Sequence, residues 1–490
     1  MKRFLSLFLC VCMMLPLAAC GESPQKNEPV VSVMEGEPTT EPAEETTPAY
    51  VYPEADLEGD TISVLNIDSY WGMHVAIDVE QIEGEILNDA IYNRNRAVEE
   101  KFSCVIHDDK YVSGSVLERT SQVALREIQS GDDTHDVMYV LDNYLVQFFT
   151  KNLLFDLSDL PKLHLDADWW DGAYNSVAQL GDSIFGAAGD LHLMGYDSSW
   201  CLFFNEDVLA DNGVALPYDL VREGGWTLDK LHEYAETLAN ADTAGTDWTG
   251  GGSALYGIVT HAHAPDKFIF SMANDYVTKE NDGSLTFGME TERFYNTVEK
   301  LADLLGTPDV TLQGSTDDLN PDKGYVYAFM NGYAAFLTAE VKTANNIREM
   351  EDTFGIVPLP KYDEAQQNYR TPLMNSLLVM TVPVTNTAPS VTAMIVDALA
   401  YESSQSVVPV YFDKTVAHKG LRNESSVEML EIIRRSRSAD IGVIYGWNSA
   451  LAASVRKNIF SGSSGAASLA ASYRKSIEAK IEDFAELVHD

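Results

Sequence analysis

Four short stretches of this chain set aromatic rings or planar polar side chains at the ends of apolar runs: Tyr70-Trp71, Asp142-Asn143-Tyr144, Asp197-Ser198-Ser199-Trp200 and Ala339-Glu340. Rings bury flat CH faces, and carboxylates, amides and hydroxyls satisfy a rim of hydroxyl groups at about 0.5 to 1.5 kcal/mol net per bond. A few rings and several such bonds reach the ~8 kcal/mol of a micromolar binder for a small polyhydroxylated solute such as a sugar. Taken singly, each ring is as consistent with core or hinge packing as with ligand contact, so the argument rests on the set.

Other chemistries find less in the sequence. His261-x-His263 supplies two metal ligands with no third carboxylate or cysteine nearby, so no metal site is expected, and His261 is read as a hydrogen-bonding group of the same polar site. Gly250-Gly251-Gly252 lacks the Lys-Ser/Thr of a phosphate loop, and no G-x-S-x-G is present. No cofactor is expected. A carboxylate pair that cleaves glycosides is recognised by its separation in space, so counting acids leaves a secreted glycan-degrading enzyme as an alternative. The formal charge of −42 repels nucleic acid and anionic lipid, which excludes nucleic acid as a partner.

The elements that must hold these residues follow from the pattern. At 490 residues and 45% apolar, the chain exceeds one hydrophobic core, and two lobes are expected. Strands are predicted at 61–67, 104–106 and 136–141, separated by helices at 87–102 and 116–128, a spacing that predicts parallel βαβ units. A helix follows at 144–153, and Trp169 and Trp170 are read as packing the back of the first lobe. Residues 185–240 then read as strand, turn, strand, helix, after which Thr227 caps a helix that buries Leu228, Leu231, Ala235 and Leu238. Further strands are expected at 256–260, 333–337 and 371–382, with a turn at 338–340. Helices are expected at 289–305, at 325–330, from Val391 onward and through the C-terminal region.

The N-terminus carries its own signal. Met1-Lys2-Arg3 precedes the apolar run 4–15, and Leu17-Ala18-Ala19 leads into Cys20, which reads as an export signal over 1–19 with a lipobox. Its apolar run of about 12 to 16 residues would span about 18 to 24 Å as a helix, too short for a bilayer core. Residues 20–56, rich in Glu, Pro and Thr, are expected to form a disordered tether. Cys104 and Cys201 are expected as two buried free thiols.

The order FFNED, helix, Pro-containing loop and WTLDKL resembles the mid-chain crossover of extracellular solute-binding proteins of carbohydrate ABC importers, the maltose-binding-like group. EGEILNDAIYNRNRAVEEKF, NGYAAFLTAE and FGIVPLPKYDE are similar to further passages of that family, and the likeness extends over roughly residues 60–490. It implies a two-lobe α/β periplasmic-binding-protein fold of type II, with lobe 1 from 57–190 and 361–412, lobe 2 from 191–360 and 413–490, and hinges near 190, 360 and 412. It implies a binding protein rather than an enzyme, which captures a sugar or oligosaccharide in the interlobe cleft and delivers it to an ABC permease. A peptide or a cationic metabolite is the alternative ligand. The likeness also adds Trp447, in IYGWNS, as a ring that stacks on the ligand. Resemblance to bacterial lipoproteins implies a lipid on Cys20 that anchors the protein to the outer face of the membrane.

Overall fold

In chain order the strands are β1 (Thr61–Ile67), β2 (Val105–Tyr111), β3 (Val137–Leu141), β4 (Trp200–Asn205), β5 (Tyr256–Thr260), β6 (Val277–Lys279), β7 (Leu285–Phe287), β8 (Thr311–Gln313), β9 (Ala334–Glu340), β10 (Phe354–Pro358), β11 (Thr371–Pro372), β12 (Leu378–Thr381) and β13 (Arg437–Ser438). The computed structural model describes residues 50–111, 118–240, 254–280, 282–314, 319, 324–416, 421 and 423–489. The expectations for the leader, Cys20, the tether up to residue 49 and the glycine run 250–252 lie outside these residues. Everything described below belongs to the unit Val51–Asp490.

Two sheets organise the chain. The first has the order β12-β3-β1-β2, with β1 parallel to β2 and β3 and with β12 antiparallel to β3. The helices Ile86–Phe102 and Glu118–Ser130 make the parallel connections. Leu87, Ile91, Val98 and Phe102 fall one or two turns apart on the first of these helices, so a single stripe is buried. The second sheet has the order β10-β4-β9-β5-β8, in which β9 runs parallel to β5 and antiparallel to β4. The chain therefore passes from one sheet to the other between β3 and β4 and returns between β10 and β12.

Local chemistry fixes several of these elements. Thr227 accepts from the Lys230 amide at 3.4 Å, and the helix Leu228–Leu238 buries Leu228, Leu231, Ala235 and Leu238 as expected. Each such side chain contributes about 1.5 to 3 kcal/mol on burial, apart from the smaller alanine. That helix lies so close to β5 that a Cβ on Gly257 would stand 2.2 Å from the Ala235 carbonyl oxygen, so only glycine permits the approach. Trp169 and Trp170 are buried, and both indole N–H groups donate to Asp397 Oδ1 at 3.0 Å. Cys104 and Cys201 are buried free thiols. Burial pushes the Cys104 thiol up to about 11 and raises that of Cys201 as well.

Four elements differ from the sequence reading. Residues 185–193 form no strand: Ala187 makes a lone bridge to Met380 and Gly189 another to Trp170. A Cβ on Gly186 would meet Val379 at 2.9 Å and one on Gly189 would meet Trp170 at 2.6 Å, so the segment lies flat on its neighbours instead of pairing along a ladder. The turn expected at 338–340 is strand, because β9 is flanked on both sides and its pairing with β4 continues to Glu340. The strand expected over 371–382 divides into β11 and β12, with residues 373–377 free to wrap a buried lysine described below. The helix expected over 144–153 is a short turn, Asp142–Tyr144, followed by Leu145–Phe149. It stops before Asn152, whose φ of 52° is left-handed.

Candidate functional site

β9 ends at Glu340, which pairs with Trp200 at the start of β4. His261 follows the end of the neighbouring β5. Then comes the helix Ala264–Ser271, of which every residue is buried, Lys267 included. Lys267 Nζ lies 5.6 Å from the centroid of the Trp200 ring and donates to the Leu373 carbonyl and to Asn375 Oδ1, each at 2.6 Å. Burial brings its ammonium down to about 8, against the pull of the Asp266, Glu340 and Asp142 charges.

Asp142 reaches the same place from the first sheet. It follows β3, its backbone N–H donates to the Leu377 carbonyl at 2.9 Å, and its carboxylate accepts from the Tyr174 hydroxyl at 3.2 Å. Burial pushes the carboxyl well above the usual range, an effect that its hydrogen bonds and Lys267 oppose. Asn143 donates from Nδ2 to Ser376 Oγ at 3.3 Å. A cavity walled by Asp142, Tyr174, Asp266, Lys267, Phe270 and Met374 adjoins the group. Lys267 thus brings together Trp200 and Glu340 from the second sheet, Asp142 from the first, and the segment leading into β12.

The buried atoms of this group without a hydrogen-bond partner among the described residues include the Trp200 Nε1 donor and the Asn143 Oδ1 and Asp266 Oδ1 acceptors. Buried polar groups are nearly always satisfied, so an orphaned donor and an orphaned acceptor at one site call for a missing partner. His261 adds a further donor. Its Nδ1 accepts from the His263 backbone N–H at 3.2 Å, and burial, reinforced by His263, brings the imidazole down to about 4. At neutral pH the ring is therefore uncharged with its proton on Nε2. It lies 6.4 Å from Trp200 and 5.5 Å from Tyr325, centroid to centroid.

The Tyr70-Trp71 loop meets the second sheet two residues beyond Glu340, where Lys342 Nζ donates to the Trp71 carbonyl at 2.5 Å. Trp71 is 73% exposed, stacks on the buried Tyr70 at 5.5 Å and holds a left-handed φ of 43°. Such a backbone costs on the order of 1 kcal/mol for a bulky residue and persists where surrounding contacts hold it.

The remaining two expected residues point elsewhere. Ser198 Oγ turns back to the Gly195 carbonyl at 3.4 Å. Trp447 is only 7% exposed, stacks on Tyr445 at 5.5 Å and meets the edge of Phe484 at 4.9 Å. It occupies the core because the C-terminal helix brings Phe484 over it. Trp447→Ala is accordingly expected to lower unfolding free energy by about 3 to 5 kcal/mol, read in a urea titration. A loss under about 1 kcal/mol would show the ring to be dispensable for packing.

Lys267 and Asn375 are absent from the sequence reading. The signal for Lys267 is a single lysine inside APDKFIFS, a helical segment without a polar face. Among the described residues no group of three or more His, Cys, Asp or Glu is placed to hold a metal ion, and no helix is long and apolar enough to cross a membrane.

A second polar cluster is built around Asp190. Asp190 accepts from the Tyr196 hydroxyl at 2.6 Å, while the Arg437 guanidinium sits 4.2 Å from the Tyr196 ring centroid and 3.3 Å from Asp171. Burial pushes the Asp190 carboxyl up to about 7, against Tyr196 and Arg437 and assisted by Asp171. The unfolded carboxyl releases its proton near pH 4, so the folded state holds more protons between about 4 and 7. The stability this contributes is present in full below that window and is lost as pH rises through 7. Asp190→Asn cannot titrate, so the Tm of the variant minus that of the wild type should become more positive from about pH 4.5 to about pH 8. A difference that stays constant would refute the assignment.

Two sheets joined by repeated crossings of the chain, with polar and aromatic groups of both meeting at one lysine, define a two-lobe α/β binding protein. The chain belongs to the bacterial extracellular solute-binding protein family, whose model matches residues 110–389. Among solved structures, a cyclo/maltodextrin-binding protein complexed with maltotetraose is similar with a TM-score of 0.59 at 13% identity, over 88% of this chain and 99% of that one. The maltose-binding protein MalE from Listeria monocytogenes, in complex with maltose, gives 0.56 at 14% identity, over 87% and 98%. UgpB from Mycobacterium tuberculosis, in complex with glycerophosphocholine, gives 0.56 at 13% identity, over 81% and 95%. At such identities the likeness is one of fold. No curated protein matches the chain by sequence.

Proposed function

We propose that this protein captures a neutral sugar or oligosaccharide between its two lobes and hands it unaltered to an ABC permease, tethered outside the cell through a lipid on Cys20. The observation that carries the reading is that buried groups of both kinds lack partners here among the described residues, Trp200 Nε1 as donor and Asn143 Oδ1 as acceptor. A hydroxyl both donates and accepts, so one class of ligand atom answers both vacant partners. The Trp200, His261 and Trp71 rings supply faces for CH groups, and Asp142 and Glu340 supply further acceptors. Lobes formed by 57–190 with 361–412 and by 191–360 with 413–490, hinged near 190, 360 and 412, would close on the ligand as rigid bodies.

A thermal-shift screen against mono- and oligosaccharides, with peptides and glycerophosphocholine as other arms, tests the proposal. Saturable stabilisation by a sugar, with the sugar recovered unchanged, is the expected result. Stabilisation by peptides or by the phosphodiester alone would replace the ligand class, and turnover of a glycan would replace binding with catalysis.

A further inference from the structure

Asp142, Asp266 and Glu340 all act on the charge of Lys267, in a chain whose formal charge is −42. A polar site lined in this way on so acidic a molecule concentrates cations. Cationic side chains of the protein already stand in that field, Arg456 and Lys267 among them. Arg456 pairs with Asp266 directly. Lys267, on whose charge Asp142 and Glu340 also act, is pinned by the Leu373 carbonyl and Asn375 Oδ1, lies over the Trp200 ring and sits on a helix of which every residue is buried.

We infer that Lys267 is a specificity-determining residue: a tethered ammonium that stands where the nitrogen of a cationic ligand would otherwise go, and so reserves the site for uncharged ligands. The inference rests on the proposed reading of this group as the ligand site. An incoming ammonium has to share Asp142, Glu340 and the Trp200 face with a charge that cannot withdraw, whereas a hydroxyl can bond to the same acceptors without repulsion. Without the lysine charge, the Leu373 carbonyl, Asn375 Oδ1, two carboxyl groups and an indole face remain, which together make a receptor for an organic cation.

The test compares the full-length protein with Lys267→Met, Lys267→Gln and Lys267→Arg by thermal unfolding in methylammonium chloride, against sodium chloride at equal ionic strength. Both neutral variants are expected to gain saturable stabilisation by methylammonium, with an apparent affinity at least about tenfold above that of the wild type, and Lys267→Arg should behave as the wild type. Gln keeps a donor for the Leu373 carbonyl, so it carries the comparison where Met fails to fold. No gain over sodium in the neutral variants, or an equal gain in the wild type and Lys267→Arg, overturns the inference. The probe contains no sugar. A failed sugar screen beside a positive methylammonium result would therefore remove the ligand class and leave the role of Lys267, and the converse result would remove Lys267 alone.

Discussion

Asp397→Ala is expected to cost about 3 to 5 kcal/mol of stability, among the largest losses available to a single substitution in this protein. Asp397 is fully buried on the helix Pro389–Glu402 and serves four donors. The Trp169 and Trp170 indoles reach it at 3.0 Å, and the His164 backbone N–H and Nδ1 at 3.1 and 2.6 Å. Alanine removes the acceptor and the charge while leaving two large indoles packed around the gap. Asp397→Asn keeps an acceptor oxygen and should lose substantially less. Urea titration of both variants reads the difference, and a loss under about 1 kcal/mol in the alanine variant would mean that the donors find other acceptors at no cost.

Trp200→Ala is expected to weaken ligand binding by about 30- to 1,000-fold, the range of a buried aromatic anchor. The ring starts β4, faces Lys267 on one side and His261 on another, and presents an Nε1 proton without a partner among the described residues. Trp200→Phe keeps a ring and loses the donor, so it should cost roughly tenfold. Because the residue is buried, calorimetric titration belongs well below the unfolding temperature of each variant. Equal affinity for the wild type and Trp200→Ala would remove Trp200 from the site.

Much of the scaffold was legible because periodicity and capping act locally. The stripe Leu87, Ile91, Val98 and Phe102, the Thr227 cap and the parallel strands β1 to β3 all follow from residues close in sequence. Several of the failures share one cause, which is contact between distant segments. The run 185–193 has strand composition, but Val379 and Trp170 press on its glycines. Trp447 reads like an exposed ring until Phe484, far along the chain, covers it. Lys267 was overlooked because its partners Leu373 and Asn375 lie more than 100 positions away. Trp200, Asp142 and Glu340 lie at strand ends around Lys267, and strand ends are positions that can be located from sequence.

The buried state of Cys104 and Cys201 gives the folded body a chemical silence that experiments can use. From residue 50 onward the described surface offers an alkylating reagent no native thiol, so a cysteine introduced on either lobe will take a dye by itself. Reagent uptake by Cys201 then becomes a clock for opening of the interior, ticking when the strand that carries it comes apart from its neighbours.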